Sequence, residues 1–304
     1  MQNTKPEIEF TGERMVPELN QGMTLYYEHL LRYMMASRFV KNKKVLDVGC
    51  GVGYGSWMLK KSGASEVYGI DISKDAVSYA DKKFAESKLQ FEIGDGENLK
   101  NYQRNVDVIT AFEFIEHIHN QNAFLKGVKE NLKPNGLFFV SSPNKNTYQN
   151  HNHFHVNELT PANFEQLLRK YFKHVLILDQ RFLFTNYIIP THSKSDINLD
   201  KLQDSFVKEK IESILPLNKI EDSRYMIAIC SDRKLDLNQE YFSISSYDVD
   251  KFSLKHGIEG LYEDWHSQSQ ASAKDEELLN QIRDSWFFKL WEFYCLIKKT
   301  LKGK

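Results

Sequence analysis

The stretch VLDVGCGVGYGS, residues 45–56, decides the fold, because an apolar run leads directly into four glycines spaced two residues apart. The apolar half predicts a short buried strand. The glycines permit a turn with positive φ or the close approach of another group to the main chain. Glycine-rich turns between a strand and a helix bind nucleotide-like ligands in open α/β sheets. The dinucleotide pattern G-x-G-x-x-G is excluded, since Tyr54 or Ser56 stands where its third glycine belongs.

Whole-chain composition limits the class of protein. A chain of 304 residues with 41% hydrophobic and 27% charged residues fits one large soluble domain with an extension, or two domains. The formal net charge of −1 predicts no DNA partner and argues against RNA. Three widely spaced cysteines give neither a disulfide framework nor a CxxC metal motif. With no signal-peptide pattern and no membrane-spanning run, the sequence predicts a reduced, cytoplasmic protein.

Alternating strand and helix patterns predict an α/β fold with a Rossmann-like, doubly wound, seven-stranded and mostly parallel sheet. Residues 1–232 are predicted to form one domain, with an N-terminal lid or helix over 1–41 and an insertion over 181–224 before the last strand. A single helix is expected over residues 115–132. Residues 233–304 are predicted to be an extension that ends in an amphipathic helix.

Acidic residues follow the second and third strands, at the sheet edge where ligands bind. Asp71 ends the second predicted strand, twenty residues after Gly51, which is the place for a carboxylate that accepts both ribose hydroxyls. The third strand runs into the segment GDGE at 94–97. An acidic side chain in this segment is placed to accept a hydrogen bond from an adenine amino group.

These three motifs resemble those of the class I S-adenosylmethionine-dependent methyltransferases, and the resemblance covers about residues 10–232. It implies an enzyme, a methyltransferase, with S-adenosyl-L-methionine as its cofactor. In that family the acidic residue before the glycines, here Asp47, often orients the loop rather than touching the ligand. The predicted cofactor-binding residues are Asp47, Gly49, Cys50, Gly51, Gly53, Asp71, Ile72, Asp95, Gly96, Phe112, Tyr27 and Arg32.

The residues that face the methyl group are expected after the fourth and fifth strands. There Glu113, Glu116 and His117 have the i, i+3, i+4 spacing of one helix face. Five of the ten histidines fall between positions 117 and 155. One interpretation is an acidic first helix turn with ordinary loop and packed histidines. The other is a catalytic group of Glu116, His117 and His155, with Glu116 or His117 as a general base or with a bound metal ion.

The pattern ExxEH with a later HxxE resembles the small-RNA 3′-terminal 2′-O-methyltransferases, which hold a divalent metal with two glutamates and two histidines. The resemblance places Mg²⁺ or another divalent ion on Glu113, Glu116, His117 and His155, with Glu158 as the trailing glutamate. Such an ion lowers the pKa of a hydroxyl and fixes its position. Ubiquinone-pathway O-methyltransferases carry a similar helix start, so the four residues do not specify RNA.

The N-terminal segment GERMVPE, followed by EHLLRY, resembles methyltransferases of bacterial surface-glycan synthesis, such as O-antigen and capsule enzymes. The leading helix in such folds often closes over the cofactor, which makes Arg14, Tyr27, His29 and Arg32 lid candidates. The resemblance implies O-methylation of a sugar or of a lipid- or nucleotide-linked sugar intermediate. The alternatives are a small-molecule or RNA O-methyltransferase and a non-catalytic, cofactor-binding scaffold in glycan assembly.

The segment from about residue 273 combines an apolar stripe, aromatic residues and a lysine-rich end. An amphipathic helix of this kind lies at a membrane interface, packs on its own domain or joins two subunits. The sequence therefore predicts a homodimer or a peripheral contact with the inner membrane through this helix.

Overall fold

The computed structural model describes residues 14–20, 24–148, 152–180 and 224–235. The chain divides into two units, Met1–Val249 and Asp250–Lys304, and every described residue belongs to the first unit. The predicted insertion, except Arg224, and the predicted C-terminal helix lie outside the described residues. The predicted domain boundary after residue 232 therefore stays a prediction.

One sheet of seven strands organises the described part of the chain. In chain order the strands are β1 (Lys44–Val48), β2 (Glu66–Asp71), β3 (Leu89–Ile93), β4 (Val106–Ala111), β5 (Leu132–Pro143), β6 (His174–Gln180) and β7 (Tyr225–Ser231). Their order across the sheet is β3-β2-β1-β4-β5-β7-β6. The pairs from β3 to β5 are parallel, whereas β7 runs antiparallel to both of its neighbours. The predicted Rossmann-like, mostly parallel seven-stranded sheet is confirmed.

Six α-helices and two 3-10 turns are present among the described residues. The helices are α1 (Pro17–Asn20), α2 (Thr24–Ser37), α3 (Tyr54–Lys61), α4 (Lys74–Phe84), α5 (Gln121–Asn131) and α6 (Pro161–Arg169), and the turns span Gly96–Asn101 and Ile115–His117. Side chains cap the later helices, because unpaired backbone N–H groups at a helix start need acceptors. Thr160, for example, accepts a hydrogen bond from the Asn163 N–H, with Pro161 as the first residue of α6. None of these helices is long and apolar enough to cross a bilayer.

The core lies on both faces of the central strands, as expected for a sheet that is covered by crossover helices. The side chains of Leu46 and Phe138 from the sheet are fully buried, and so are Phe124 and Val128 from α5. Burying a side chain of this size contributes about 1.5–3 kcal/mol. This packing fixes the strand ends, which carry the candidate site residues.

The predicted single helix over residues 115–132 is wrong. Glu113 has a left-handed φ of 50°, and the 3-10 turn that follows contains only three residues, Ile115–His117. Ile118 is extended, and α5 begins again at Gln121 with Asn120 as its cap, whose side chain accepts from the Ala123 N–H at 2.9 Å. Glu113, Glu116 and His117 therefore do not share a helix face.

Candidate functional site

A cavity of about 650 Å³ lies at the carboxyl ends of β1 to β4, where ligands bind in this type of sheet. Its size falls within the range of about 300–1,000 Å³ that is typical of small-molecule sites. The predicted cofactor residues that line it are Gly49, Cys50, Gly51, Asp71, Ile72, Asp95, Gly96 and Phe112. The structure thus brings eight of the twelve predicted positions to one cavity.

The glycine loop after β1 combines two functions that the sequence pattern does not separate. Gly51 has a φ of 53°, and a Cβ atom added there would meet nothing within 4 Å, so its backbone faces the cavity. Gly53 has a φ of 85°, and an added Cβ would lie 2.6 Å from Ala80 and 2.7 Å from the Phe91 ring. Gly53 does not line the cavity. It permits the close packing of the loop on α4 and β3.

Asp71 lies at the end of β2 and ties the glycine loop to the start of α4. Its Oδ2 atom accepts a hydrogen bond from the Gly51 N–H at 2.8 Å, and its Oδ1 atom accepts from the Ser73 N–H at 2.9 Å. The neighbouring Ile72 side chain is 76% exposed and offers an apolar surface to the same cavity. Because each carboxylate oxygen has two lone pairs, Asp71 retains the capacity to accept hydroxyl groups of a ligand.

The acidic segment after β3 is organised by hydrogen bonds of its own. Asp95 caps the turn Gly96–Asn101 by accepting from the Glu97 N–H at 2.9 Å, and it also accepts from the Asn98 amide. Glu97 accepts from the Asn120 N–H at 2.6 Å. Both Asp95 and Glu97 line the cavity. The predicted acidic position near an adenine is therefore available from two side chains.

Asp47 is fully buried and does not line the cavity, so a direct cofactor contact, one of the predictions for this residue, is not seen. Three hydroxyl groups donate to its carboxylate: Ser56 at 2.7 Å, Thr110 at 2.7 Å and Tyr33 at 3.2 Å. Burial raises the pKa of the Asp47 carboxyl to about 6, although the hydroxyl donors oppose this shift. Asp47 joins α2, α3 and β4 beneath the loop.

Replacing Asp47 with asparagine is expected to remove a pH-dependent part of the free energy of unfolding. Because the folded pKa of about 6 lies above the ordinary 3.8, the Asp47 contribution is fully present below pH 3.8 and is lost as the pH rises through 6. The loss amounts to about 3 kcal/mol at 1.36 kcal/mol for each pKa unit. Urea unfolding at pH 4 and pH 7 measures it. If the free energy of unfolding depends on pH equally in Asp47→Asn and in the wild type, this role of Asp47 is contradicted. The control is Asp75→Asn, because Asp75 is exposed.

Two other predicted cofactor residues, Tyr27 and Arg32, do not line the cavity. The Tyr27 ring packs edge-on against Tyr26, with 5.3 Å between the centroids. Arg32 is 1% exposed and lies behind the cavity wall, where it pairs with Glu113. The prediction that Tyr27 and Arg32 belong to a lid that contacts the cofactor is therefore not supported by their positions.

The other two lid candidates, Arg14 and His29, do line the cavity. His29 Nδ1 lies 3.0 Å from the Tyr54 hydroxyl. Burial, together with the nearby positive charge of Arg32, holds the pKa of His29 well below its usual value. His29 is therefore neutral at pH 7 and adds no positive charge to the cavity.

Three of the four predicted metal ligands come together in the lining of the same cavity. Glu116, His117 and His155 offer ligand atoms that all lie within 4.8 Å of one another. The His117 and His155 rings are 4.9 Å apart between centroids, and Glu116 is fully buried. Glu113 is not a member of this group; its side chain turns toward Arg32 and Ser141 because the left-handed backbone redirects it.

The hydrogen bonds of the two histidines fix which ring nitrogen carries the proton. His117 Nδ1 lies 3.0 Å from the carbonyl oxygen of Phe154, which only accepts, so Nδ1 donates. His155 Nδ1 lies 2.8 Å from Glu158 Oε1. In the neutral rings, Nε2 is then the basic atom of both. Imidazoles held in this way by a carbonyl or a carboxylate are typical of metal ligands and general bases.

Comparisons with known proteins agree with this geometry. Residues 39–188 match the family model described as a methyltransferase domain. A Mycolicibacterium smegmatis protein named "Probable S-adenosylmethionine-dependent methyltransferase" is 30% identical over 166 residues, which are 53% of this chain and 63% of that protein. A ubiquinone biosynthesis O-methyltransferase of Coxiella burnetii is 35% identical over 119 residues, 38% of this chain and 50% of that protein.

A solved structure shows the same fold. An S-adenosylmethionine-dependent methyltransferase from Archaeoglobus fulgidus superposes with a TM-score of 0.50 at 20% identity, over 70% of this chain and 96% of that chain. This chain therefore has the class I methyltransferase fold, and residues 39–188 match a methyltransferase domain. The predicted S-adenosylmethionine-dependent methyltransferase is confirmed at this level. The chain spans less than two thirds of the curated relatives' length, so the likeness covers the domain and leaves the acceptor open.

The methyltransferase domain also places residues at the cavity that the sequence did not predict. Tyr225 lines it because β7 is antiparallel, so that the first residue of this strand lies at the edge where the parallel strands end. Tyr54, Tyr148 and Phe154 line it as well. An antiparallel last strand is the signal that identifies Tyr225, whereas single aromatic residues in a loop or at a helix start carry no such signal.

Charge in the cavity of the methyltransferase domain is mainly negative. Among the described residues that line it, Arg14 is the only arginine or lysine. The carboxylates that line it are Asp71, Asp95, Glu97, Glu113 and Glu116. Such a wall attracts cations and accepts hydrogen bonds from hydroxyl groups.

Proposed function

We propose that this methyltransferase domain transfers a methyl group from S-adenosylmethionine to a hydroxyl group of a sugar or of a sugar-linked intermediate. One observation carries the proposal: a single cavity is lined both by the glycine loop with Asp71 and by His117 and His155. S-adenosylmethionine supplies a methyl group on a positively charged sulfur, which a nucleophile must approach in line. The cavity has room and polar groups for cofactor and acceptor side by side.

We assign the cofactor-binding part of the cavity from the hydrogen-bonding groups at the strand ends. Asp71 and Asp95 accept, the backbone at Gly51 is accessible, and Ile72 supplies an apolar surface suited to the face of a nucleobase. The acidic wall favours a cationic ligand over an anionic one. We therefore assign ribose and base recognition to Asp71 and Asp95.

The proton of the acceptor hydroxyl goes to the histidine cluster in this proposal. His117 and His155 present Nε2 as the basic atom, and Phe154 and Glu158 hold the rings in orientation. Imidazole is the side chain that most often acts as a general base. Glu116, buried with its Oε1 4.0 Å from His117 Nε2, supplies negative charge that stabilises a protonated ring.

The acceptor class rests on charge and on resemblance. A neutral, hydroxyl-rich molecule suits a wall of carboxylates, because each carboxylate oxygen accepts from hydroxyl groups. A polynucleotide needs a basic track, and Arg14 alone does not form one. The N-terminal resemblance to surface-glycan enzymes supports a sugar, whereas the name of the Coxiella burnetii relative favours a small-molecule O-methyltransferase.

A metal-assisted form of the same reaction is the second candidate, and the proximity of Glu116, His117 and His155 favours it. The donor set fits a divalent ion, because both rings donate their Nδ1 proton elsewhere and keep Nε2 as the ligand atom. Two imidazoles and one carboxylate suit Zn²⁺ or Fe²⁺ better than Mg²⁺, which prefers oxygen ligands. When bound, such an ion supplies Lewis-acid activation of the acceptor hydroxyl.

Incubation with methyl-labelled S-adenosylmethionine tests the acceptor class. We expect label transfer to a nucleotide-activated or lipid-linked sugar, and weak or no binding of short single-stranded RNA at near-physiological salt. A His117→Ala variant, with exposed His153→Ala as its control, is expected to lose about 10²-fold or more in turnover. RNA binding that falls steeply with added salt, together with no labelled sugar, would overturn the glycan acceptor. Labelling of a phenolic small molecule alone would replace the sugar with the small-molecule alternative.

A further inference from the structure

Glu113 is the centre of a polar network that is separate from the histidine cluster. It follows Phe112 directly after β4, lines the cavity, and has a side chain that is 14% exposed. Its φ of 50° is unusual for a residue with a Cβ atom and costs conformational energy. Such strain persists only where neighbouring groups hold the residue, and it concentrates at functional positions.

Ser141 of β5 holds Glu113 at two atoms. Its Oγ accepts from the Glu113 N–H at 2.9 Å and donates to Glu113 Oε1 at 2.7 Å. A serine hydroxyl has one proton, so these two bonds fix both the direction of the hydroxyl and the position of the carboxylate. Ser141 is fully buried, so water does not compete for its hydroxyl.

Arg32 of α2 supplies the charge that balances this carboxylate. Its Nη1 atom lies 3.3 Å from Glu113 Oε1, its Nε donates to Gln180 Oε1 at 2.6 Å, and its guanidinium lies 4.5 Å above the Tyr225 ring. A buried charge is costly unless it is paired, so Arg32 and Glu113 stabilise each other in this position. Arg32 itself does not line the cavity.

Ser141 and Arg32 contact the same carboxylate oxygen of Glu113, so the other oxygen determines which ligand groups Glu113 can bind. Ser141 and Arg32 contact Oε1, and no residue in the described part of the chain donates to Oε2. The Oε2 atom of a residue that lines the cavity is therefore the atom left to accept a hydrogen bond from a bound molecule. A fixed carboxylate oxygen selects a ligand with a hydroxyl or ammonium donor at that point.

We propose that Glu113 is an acceptor-binding residue whose Oε2 takes a hydrogen bond from a hydroxyl of the acceptor, and that Ser141 and Arg32 are its positioning residues. This inference rests on the proposed methyl transfer to a hydroxyl-bearing molecule. It predicts that the acceptor has a second hydroxyl group besides the one that is methylated, because His117 and His155 accept the proton of the reacting hydroxyl. A site that binds a hydroxyl in this way rejects an analogue that lacks it.

The test compares Glu113→Gln and Ser141→Ala with the wild type. The acceptor is the sugar that becomes labelled when a panel of sugars is incubated with methyl-labelled S-adenosylmethionine. Glu113→Gln is expected to reduce kcat/KM for the acceptor by about 100-fold, mainly through KM, because the amide puts a donor where an acceptor is needed. Ser141→Ala is expected to reduce it by about tenfold in the same way. The neighbouring Ser142→Ala is the matched control, since among the described residues its hydroxyl donates only to the Pro143 carbonyl.

Two binding measurements separate this role from others. Calorimetry with S-adenosylhomocysteine and with Zn²⁺ is expected to give dissociation constants within about twofold of wild type for both variants. Loss of Zn²⁺ affinity in Glu113→Gln would make Glu113 a metal ligand, and loss of S-adenosylhomocysteine affinity would make it a cofactor residue; either result overturns the inference. An unchanged acceptor KM in folded Ser141→Ala and Glu113→Gln overturns it as well. A wild type that methylates nothing in the panel overturns the proposed function and the inference with it.

Discussion

Replacing Asp71 with alanine is expected to weaken the binding of S-adenosylmethionine by about 100-fold or more. Two hydrogen bonds between a carboxylate and ligand hydroxyls are worth about 1.5–3 kcal/mol each, and 1.4 kcal/mol corresponds to a factor of ten. The substitution also removes the hydrogen bonds to the N–H groups of Gly51 and Ser73, so the glycine loop loses its tie to α4. Both effects act in the same direction.

Calorimetric titration with S-adenosylhomocysteine measures this loss directly and needs no acceptor. Asp75→Ala is the matched control, because Asp75 is an exposed carboxylate in the first turn of α4 and does not line the cavity. Asp71→Asn separates the two effects, since its amide oxygen still accepts one backbone hydrogen bond. An unchanged dissociation constant in a folded Asp71→Ala variant would remove Asp71 from the cofactor site.

The central strands of this fold are predictable from local sequence because they are buried on both faces. A parallel strand covered by helices is a nearly continuous apolar run, and β1 and β4 both have this pattern. The two last strands are also visible as apolar runs on either side of the polar stretch from 181 to 224. The antiparallel direction of β7 depends on sheet topology, which no local pattern reports.

The roles of motif residues are less predictable than their presence. Asp47 and Asp71 are both acidic residues in or directly after a strand, yet one is fully buried among hydroxyl groups and the other lines the cavity. Gly51 and Gly53 differ in the same way, since only the backbone of Gly51 faces open space. The direction in which each residue faces depends on the curvature of the loop, which the spacing of glycines does not determine.

The position of Glu113 illustrates how a spacing argument fails. An i, i+3, i+4 pattern predicts a shared face only if the helix is continuous, and here the backbone is left-handed at Glu113 and extended at Ile118. Asn120 was the available signal, because asparagine is a preferred residue directly before a helix. A helix that begins after Asn120 leaves residues 113–119 outside it and separates Glu113 from the histidine cluster.

Replacing His155 with alanine is expected to lower the affinity for Zn²⁺ by about 10²-fold or more, because it removes one of three protein ligands. Glu158→Gln is expected to lower it less, by about tenfold, since Glu158 only orients the His155 ring. His153→Ala is the control, because His153 is an exposed histidine in the same loop outside the cluster. Calorimetric titration of the metal-free protein with Zn²⁺ measures these affinities independently of turnover.

Activity then distinguishes a metal site from a general base at the same residues. If an ion is held there, excess chelator is expected to abolish methyl transfer, and added Zn²⁺, Fe²⁺ or Mn²⁺ is expected to restore it. Full turnover in excess chelator, combined with the loss of turnover in His117→Ala, would leave the histidines as general bases without a metal. Tight Zn²⁺ binding that survives both His155→Ala and His117→Ala would show that the ion does not bind at this cluster.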